Sequence, residues 1–288
     1  MSRNTNDIYK AIKSVLPSDP CWVVLHSSLI HFTFEKMDMK WNILKAIKKL
    51  ADEGYTLAFP SFTFSFTETG QFDESINNSE TGIMADWVFQ LNNSIRTKHP
   101  IYSHVLIGPE ASEALDASII SCFGAASIYS IFQKKDACLV MFGCGWSRCT
   151  SFHYFEELND VPYRYFKKFY YYDNKEQYAE MFVRDEAKGP QNDFSPAVDK
   201  LRNDKLLRSH VFNGGLIESS RFADFTRVCQ IFLKTDSCAF IKNSEFVKNR
   251  INDEAEAKKL NINIGIYGSS NLDLLVNKFK ELAKDLIK

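Results

Sequence analysis

Two unbroken apolar runs constrain this chain more than anything else in it. Trp22-Val23-Val24-Leu25 and Ala137-Cys138-Leu139-Val140-Met141-Phe142 lack the alternation of a strand with one wet face. A strand with no polar face is buried on both sides, which needs helices packed on both faces of a sheet. Each run then breaks into small polar residues, His26-Ser27-Ser28-Leu29 after the first and Gly143-Cys144-Gly145-Trp146 after the second. Between them the chain alternates helical and extended patterns. Ile8, Ile12, Val15 and Leu16 predict a helix stopped by Pro17, and Ile43, Leu44, Ile47, Leu50 and Ala51 predict another closed by Gly54. Tyr55 to Phe59, His104 to Ile107 and Tyr170 to Tyr172 read as strands. Helices are expected around Met84 to Leu91, over Glu110 to Leu115 and over Phe222 to Leu233, with loop then helix over 190–212. Such alternation predicts an α/β fold, with α+β as its variant.

Pro60 to Phe66 alternates Phe62, Phe64 and Phe66 with Ser61, Thr63 and Ser65, the pattern of a half-buried strand. The last fifty residues differ in texture. A charge-dense helix is expected over 242–259, then a strand over 262–267 and a helix over 272–286. We therefore divide the chain into a main domain, 1–240, and a segment, 241–288, that either adds to the core sheet or opens a second α/β domain.

Several function classes are excluded early. With 35 basic and 36 acidic side chains the chain lacks the basic excess of a nucleic-acid platform. No apolar run is long enough to span a membrane, and the polar N-terminus lacks an export signal. Seven scattered cysteines without a C-x-x-C pair read as reduced thiols, which points to the cytoplasm. No metal-ligand spacing, Walker loop, G-x-G-x-x-G or G-x-S-x-G occurs.

Three stretches carry candidate chemistry. Thr150-Ser151-Phe152-His153-Tyr154-Phe155-Glu156 follows a buried strand and a Gly-Cys-Gly turn, where α/β folds place ligands. With Thr150 as N-cap, His153 sits in the first helical turn, whose dipole disfavours imidazolium, and Glu156 shares its face. The pair reads either as a general base with its carboxylate or as a structural contact. His26-Ser27-Ser28 offers polar groups for an oxyanion or a phosphate, or is a Ser-rich turn. Arg96-Thr97-Lys98-His99-Pro100 is a cationic loop, suited to phosphate or simply solvated. Cys144 and Cys149, near His153 in sequence, raise a cysteine-nucleophile route.

In this order, these stretches resemble the aminoglycoside 3-N-acetyltransferase (antibiotic N-acetyltransferase) family. The matching landmarks are Val24 to Leu29, Phe59-Pro60-Ser61-Phe62-Thr63, Phe72-Asp73, Thr81-Gly82, and Arg96 to Pro100 with Ser103. They continue with Phe123-Gly124 before Ser127, Thr150-x-x-His153-x-x-Glu156, Val161-Pro162-Tyr163-Arg164, Asp193-Phe194, and Gly215 to Phe222. The resemblance spans roughly residues 20–235. It implies a central mixed sheet flanked by helices, and direct acetyl transfer from acetyl-CoA to a primary amine of an aminoglycoside or other amino sugar, without a metal. It implies His153 as the base, Ser28 at the oxyanion, and Glu156, Asp193 or Glu218 as the orienting carboxylate. His26, Ser27, Ser28, Leu29, Ser61, Thr63, Thr81, Arg96, His99 and Ser103 would line the CoA side, with Arg96 on its phosphates. Many members carry an acidic residue just after the Asp-Phe landmark, where this chain has Ser195-Pro196-Ala197-Val198. The near-neutral charge and the basic stretch 164–168 keep a nucleotide-linked or otherwise anionic amino sugar of envelope biosynthesis open as acceptor. A non-enzymatic alternative is a catalytically degenerate transferase kept as a CoA-binding scaffold for the module that Ile262 begins. A monomer or homodimer is expected, with no nucleic-acid or membrane partner.

Overall fold

The computed structural model describes residues 5–33, 39–76, 79–184, 191–245 and 248–249. The readings of 250–288, including the strand at 262–267 and the helix at 272–286, lie outside them.

Nine strands are formed in the described chain. They are β1 (Trp22–Ser27), β2 (Thr56–Pro60), β3 (Ile95–Arg96), β4 (His104–Ile107), β5 (Cys138–Phe142), β6 (Tyr165–Tyr170), β7 (Tyr178–Val183), β8 (Arg208–Phe212) and β9 (Gly215–Arg221). The helices are α1 (Thr5–Lys13), α2 (Met39–Asp52), α3 (Phe66–Thr69), α4 (Ile83–Phe89), α5 (Ile128–Lys134), α6 (Ser151–Leu158), α7 (Ser195–Asn203) and α8 (Phe222–Thr235). Seven strands make one mixed sheet in the order β3-β4-β2-β1-β5-β9-β8, and β6 and β7 form a separate antiparallel hairpin. β1 runs parallel to both β2 and β5, while β4 and β9 pair antiparallel outside them. This is the mixed, helix-flanked sheet that the family resemblance implied.

The two apolar runs are the central strands, and their alternate side chains feed two different cores. Trp22, Val24, Leu139 and Met141 join one cluster with residues of α5, α6, α7 and α8, including Phe132, Phe152, Leu201 and Phe225. Val23, Leu25, Val140 and Phe142 join the other with residues of α1, α2 and α4, including Ile12, Ile47 and Val88. Burying both faces is why neither strand has a polar side.

Several local expectations are corrected. Pro60 to Phe66 is not a strand: β2 ends at Pro60, and a turn leads into α3. Phe62 and Phe66 are buried four residues apart while Phe64 is exposed, so the three rings do not share a face. The Glu80 carboxylate holds the turn, accepting the Phe64 amide at 2.8 Å and the Ser65 amide at 3.1 Å. The helix expected over Glu110 to Leu115 is a 3-10 turn, Ala111–Asp116, and the strand expected over Tyr170 to Tyr172 already ends at Tyr170. Thr150 precedes α6 with helical φ and ψ and makes no side-chain cap bond.

Gly143 ends β5 at φ +70°, and a Cβ there would collide with the Ser28 carbonyl and the Phe32 ring. Only glycine lets the β1 and β5 loops approach this closely.

Candidate functional site

The C-terminal ends of parallel β1, β2 and β5 open onto a cleft of about 650 Å³, the position at which open α/β sheets bind ligands. His26, Ser27 and Ser28 line it from β1, Thr81 and Gly82 from the entry to α4, and Cys149, Thr150 and His153 from the entry to α6.

His153 lies one turn into α6 and Glu156 one turn further, so both project from one side of the helix. Nδ1 of His153 is 2.5 Å from Oε2 of the fully buried Glu156. The Tyr163 hydroxyl donates to Oε1 at 2.7 Å, and Arg164 Nη2 reaches Oε2 at 2.9 Å. The same Arg164 nitrogen is 3.0 Å from His153 Nδ1. Glu156 can only accept and is the nearer partner of Nδ1, so the proton of the neutral ring belongs on Nδ1, and the Arg164 guanidinium beside it acts through its charge. Nε2 then carries the lone pair, and it makes no hydrogen bond within the described residues. The Phe123 and Phe194 rings flank the imidazole, each with its centroid at 5.7 Å.

The electrostatics agree with that assignment. Burial lowers the pKa of His153 and Arg164 lowers it further, against the opposing pull of Glu156. Burial works against ionised Glu156, but His153, Arg164 and the Tyr163 hydroxyl outweigh it, and the carboxyl stays below its ordinary range. The result is a neutral imidazole on an anionic carboxylate, poised to accept a proton at Nε2.

The other two carboxylates named from sequence are engaged elsewhere. Asp193 accepts the Ser195 amide at 3.1 Å and the Ser195 hydroxyl at the start of α7. Glu218 accepts Trp146 Nε1–H at 3.1 Å and the Ser209 hydroxyl at 3.3 Å. Neither bonds to His153.

The residues expected on the CoA side divide into two groups. His26, Ser27, Ser28 and Thr81 line the cleft. His26 Nε2 accepts the Thr150 amide at 3.4 Å, tying β1 to the entry of the helix that carries His153. Burial lowers its pKa to about 4, so it is neutral. The Ser28 amide is spent on the Phe142 carbonyl at 2.9 Å, which leaves the hydroxyl as its free group toward a ligand. Thr81 Oγ1 accepts the Phe62 amide at 3.3 Å.

Leu29, Ser61, Thr63, Arg96, His99 and Ser103 do not line this cleft. Arg96 is a staple rather than a phosphate ligand. Its five N–H groups go to the Ser103 hydroxyl, the carbonyls of Asp73, Ile76 and Ser61, and the Thr63 hydroxyl, at 2.6 to 3.3 Å. The Ser103 hydroxyl donates in turn to the Ser61 carbonyl. With five donors committed, none is left for a phosphate. His99 accepts the Ile101 and Tyr102 amides on Nδ1 and is held neutral, its pKa lowered by burial to about 4.

Cys144 and Cys149 line the cleft, but burial pushes their thiols up to about 11 and about 12. Both are protonated, which disfavours a thiolate route. No group of three or more His, Cys, Asp or Glu placed to hold a metal occurs among the described residues, and no helix of theirs is long and apolar enough to cross a membrane.

Tyr163 and Arg164 had no catalytic role in the sequence reading; they arrive from the loop after α6 and carry no periodic signal, and showed only in the Val-Pro-Tyr-Arg landmark and, for Arg164, in the basic stretch 164–168. The sequence reading also passed over Arg148, an exposed cation on the cleft wall.

A family model described as aminoglycoside 3-N-acetyltransferase matches residues 24–233. No curated protein sequence matches the chain significantly. Among solved structures, the apoenzyme of aminoglycoside acetyltransferase AAC(3)-IVa superposes with a TM-score of 0.71 at 18% identity, over 85% of this chain and 94% of that one. AAC-IIIb in binary complex with CoASH gives 0.69 at 15% identity, over 84% and 99%. AAC-VIa bound to sisomicin gives 0.66 at 15%, over 82% and 98%. At these identities the structural likeness is one of fold.

Proposed function

The chain belongs to the aminoglycoside 3-N-acetyltransferase family, and from that premise we propose that it transfers an acetyl group from acetyl-CoA directly to a primary amine of an amino sugar, with His153 as general base. The observation that carries the proposal is the imidazole whose Nδ1 is bound by a buried carboxylate while Nε2 stands at the cleft. The cleft suits the cosubstrate: it joins backbone and hydroxyl groups of Ser27, Ser28 and Thr81 with the exposed Arg148 guanidinium and the exposed apolar side chains of Ile30 and Phe64. A neighbour of the same fold was solved with CoASH.

In the proposed step the amine nitrogen attacks the thioester carbonyl while His153 Nε2 takes its proton. The tetrahedral oxyanion meets the Ser28 hydroxyl. Collapse breaks the C–S bond, and the imidazolium returns its proton to the departing thiolate, leaving amide and CoA. Glu156 keeps the ring oriented through both transfers. General-base assistance of this kind contributes about 10²- to 10⁴-fold.

A second reading of the acceptor, a nucleotide-linked or otherwise anionic amino sugar, is favoured by the charge of the cleft. Glu80 is the one carboxylate among its described lining residues, and its oxygens already accept the Phe64 and Ser65 amides; Arg148 is the exposed cation beside it. A polycation gains little there.

The test mixes acetyl-CoA with aminoglycosides and with nucleotide-linked amino sugars and follows released CoA with a thiol reagent. Turnover that disappears in His153→Ala while CoA binding persists is expected. Undiminished turnover in that variant refutes the assignment, and saturable CoA binding without turnover on any amine would identify a degenerate scaffold instead.

A further inference from the structure

The carboxylate under His153 is saturated from a direction that no catalytic motif supplies. Tyr163 and Arg164 are consecutive residues in the loop between α6 and β6, and they take one Glu156 oxygen each. Tyr163 is fully buried, and the side chain of Arg164 is only 5% exposed. Arg164 Nη1 is anchored on the Phe182 carbonyl at 3.2 Å, which fixes the guanidinium against β7. Nη2 is thereby placed beside both Glu156 Oε2 and His153 Nδ1, at 2.9 and 3.0 Å. A simple ion pair for Glu156 needs no such approach to the ring.

The three charges have a definite logic. An imidazole on a lone buried carboxylate is drawn toward the imidazolium form, because the pair of opposite charges is favoured over a neutral ring beside an anion. A base in that state already holds its proton and accepts none at neutral pH. A cation at 3 Å from Nδ1 opposes the imidazolium form, and its ion pair with Glu156 keeps the carboxylate ionised to accept from the ring. Arg184, beyond β7, acts on the ring in the same sense from further away, and Glu156 acts against both.

We propose that Arg164 is a positioning residue for acyl transfer: it holds the Glu156 carboxylate that takes the Nδ1–H of His153, and its charge beside the ring opposes a second proton, which keeps Nε2 free to accept the proton of the amine. The inference deepens the function proposed above and rests on its assignment of His153 as the base. It also separates the two landmark neighbours, since the Tyr163 hydroxyl donates to the far carboxylate oxygen, Oε1, whereas Arg164 stands beside the ring.

The experiment compares the native chain with R164M, R164Q and R164K in two measurements. The first is the pH profile of kcat/KM with an accepted amine from pH 5.5 to 9.5. The neutral variants are expected to lose about tenfold at pH 7, with the deficit closing toward pH 9 as the ring deprotonates. R164K retains the cation, and its acidic limb is expected near that of the native chain. The second measurement is ¹⁵N NMR of the His153 ring without acceptor, in the native chain and the same variants. It is expected to show the Nδ1–H tautomer in the native chain and a larger imidazolium fraction at pH 7 in R164M or R164Q. An equal loss at every pH in all three variants, an unchanged His153 titration, or an Nε2–H tautomer in the native chain overturns the inference. The two neutral variants guard against a folding failure of either, and the native tautomer decides the matter if both fail. Because NMR needs no turnover, a shifted titration in a chain inactive on every amine would leave the Arg164 inference standing and remove the proposed function.

Discussion

Three histidines in the cores of this protein ought to make it sensitive to mild acid, and the size of the effect follows from their surroundings. His26, His99 and His104 are all buried, the last completely. Burial lowers the first two to about 4 and His104 to about 3, from 6.5. The unfolded chain therefore takes up protons near pH 6.5, and the folded chain refuses them until pH 4 or below. Between those limits the unfolded state binds more protons, so stability falls as the pH falls. From pH 7 to pH 5 the three rings together remove about 6 kcal/mol. Glu157 works the other way: burial, then Glu180, raise its carboxyl to about 7, so the folded state is the one that gains a proton there. Partly open to solvent, it returns at most about 2 kcal/mol. The net loss of about 4 kcal/mol is a large part of the 5–15 kcal/mol typical of a domain.

His104→Phe isolates one ring. His104 Nδ1–H donates to the Tyr102 carbonyl at 3.1 Å, its Nε2 is buried without a partner, and its edge packs on Tyr129, Phe132 and Phe62. Phenylalanine keeps the aromatic contacts, and the lost hydrogen bond costs about 1 kcal/mol at pH 7. It also removes one proton from the unfolding equilibrium, so the gap between pH 7 and pH 5 narrows by about 2 kcal/mol. Urea unfolding followed by circular dichroism between pH 4.5 and 8 measures both numbers. The native chain should take up about two protons on unfolding near pH 5.5, and the variant about one. Equal stability of the native chain at pH 5 and pH 7, or a His104→Phe profile parallel to the native one, would refute the reasoning.

Two substitutions probe the site itself. Glu156→Gln keeps the shape but leaves Arg164 as a buried cation without its carboxylate, so a loss of about 3–5 kcal/mol in chemical unfolding is expected, and kcat/KM should fall by about 10²-fold; native-like kcat/KM would show that the carboxylate does not orient the base. Gly143→Ala forces a Cβ into the Ser28 carbonyl and the Phe32 ring at positive φ, at a cost of about 1–3 kcal/mol, read as a lowered Tm, and a native Tm would mean that the β1 and β5 loops part without strain.

What was legible in the sequence was whatever burial writes into spacing. β1 and β5 were readable because a strand covered on both faces has no polar side, and Glu156 was readable as a partner because three residues bring two side chains together on a helix. The alternating phenylalanines misled because a turn and the start of a helix put Phe62 and Phe66 inside and Phe64 outside, with no strand behind the alternation. The strand β8 was hidden within a stretch read as loop then helix, although Asn213-Gly214 marks a hairpin turn. Both turn residues have positive φ, and Phe212 pairs with Gly215 across them. The cationic loop at Arg96 to Pro100 looked like a surface able to meet phosphate. Its real partners are carbonyls at positions 61, 73 and 76, contacts between segments that no local pattern records.

Arg96 and Arg164 also change what charge parity means for this chain. Both are buried, and each spends its donors inside the protein, Arg96 mainly on backbone carbonyls and hydroxyls and Arg164 on Glu156 and the Phe182 carbonyl. Glu156, Glu218 and Glu80 are committed in the same way, to His153, Trp146 and the Phe64 and Ser65 amides. A net charge of −1 is therefore a poor guide to the field a ligand meets, because these charges are already answered within the fold. On the cleft wall a ligand meets the exposed Arg148 and the exposed Glu80, whose oxygens already accept two amides, beside neutral His26 and two protonated thiols. Among the described residues of the cleft, an acceptor with several ammonium groups finds one carboxylate, already hydrogen-bonded, whereas a phosphate-bearing one finds a guanidinium. Turnover of both acceptor classes across a range of salt separates the cases: attraction to Arg148 weakens as ionic strength rises, and a Kd for an anionic acceptor that ignores salt would contradict it.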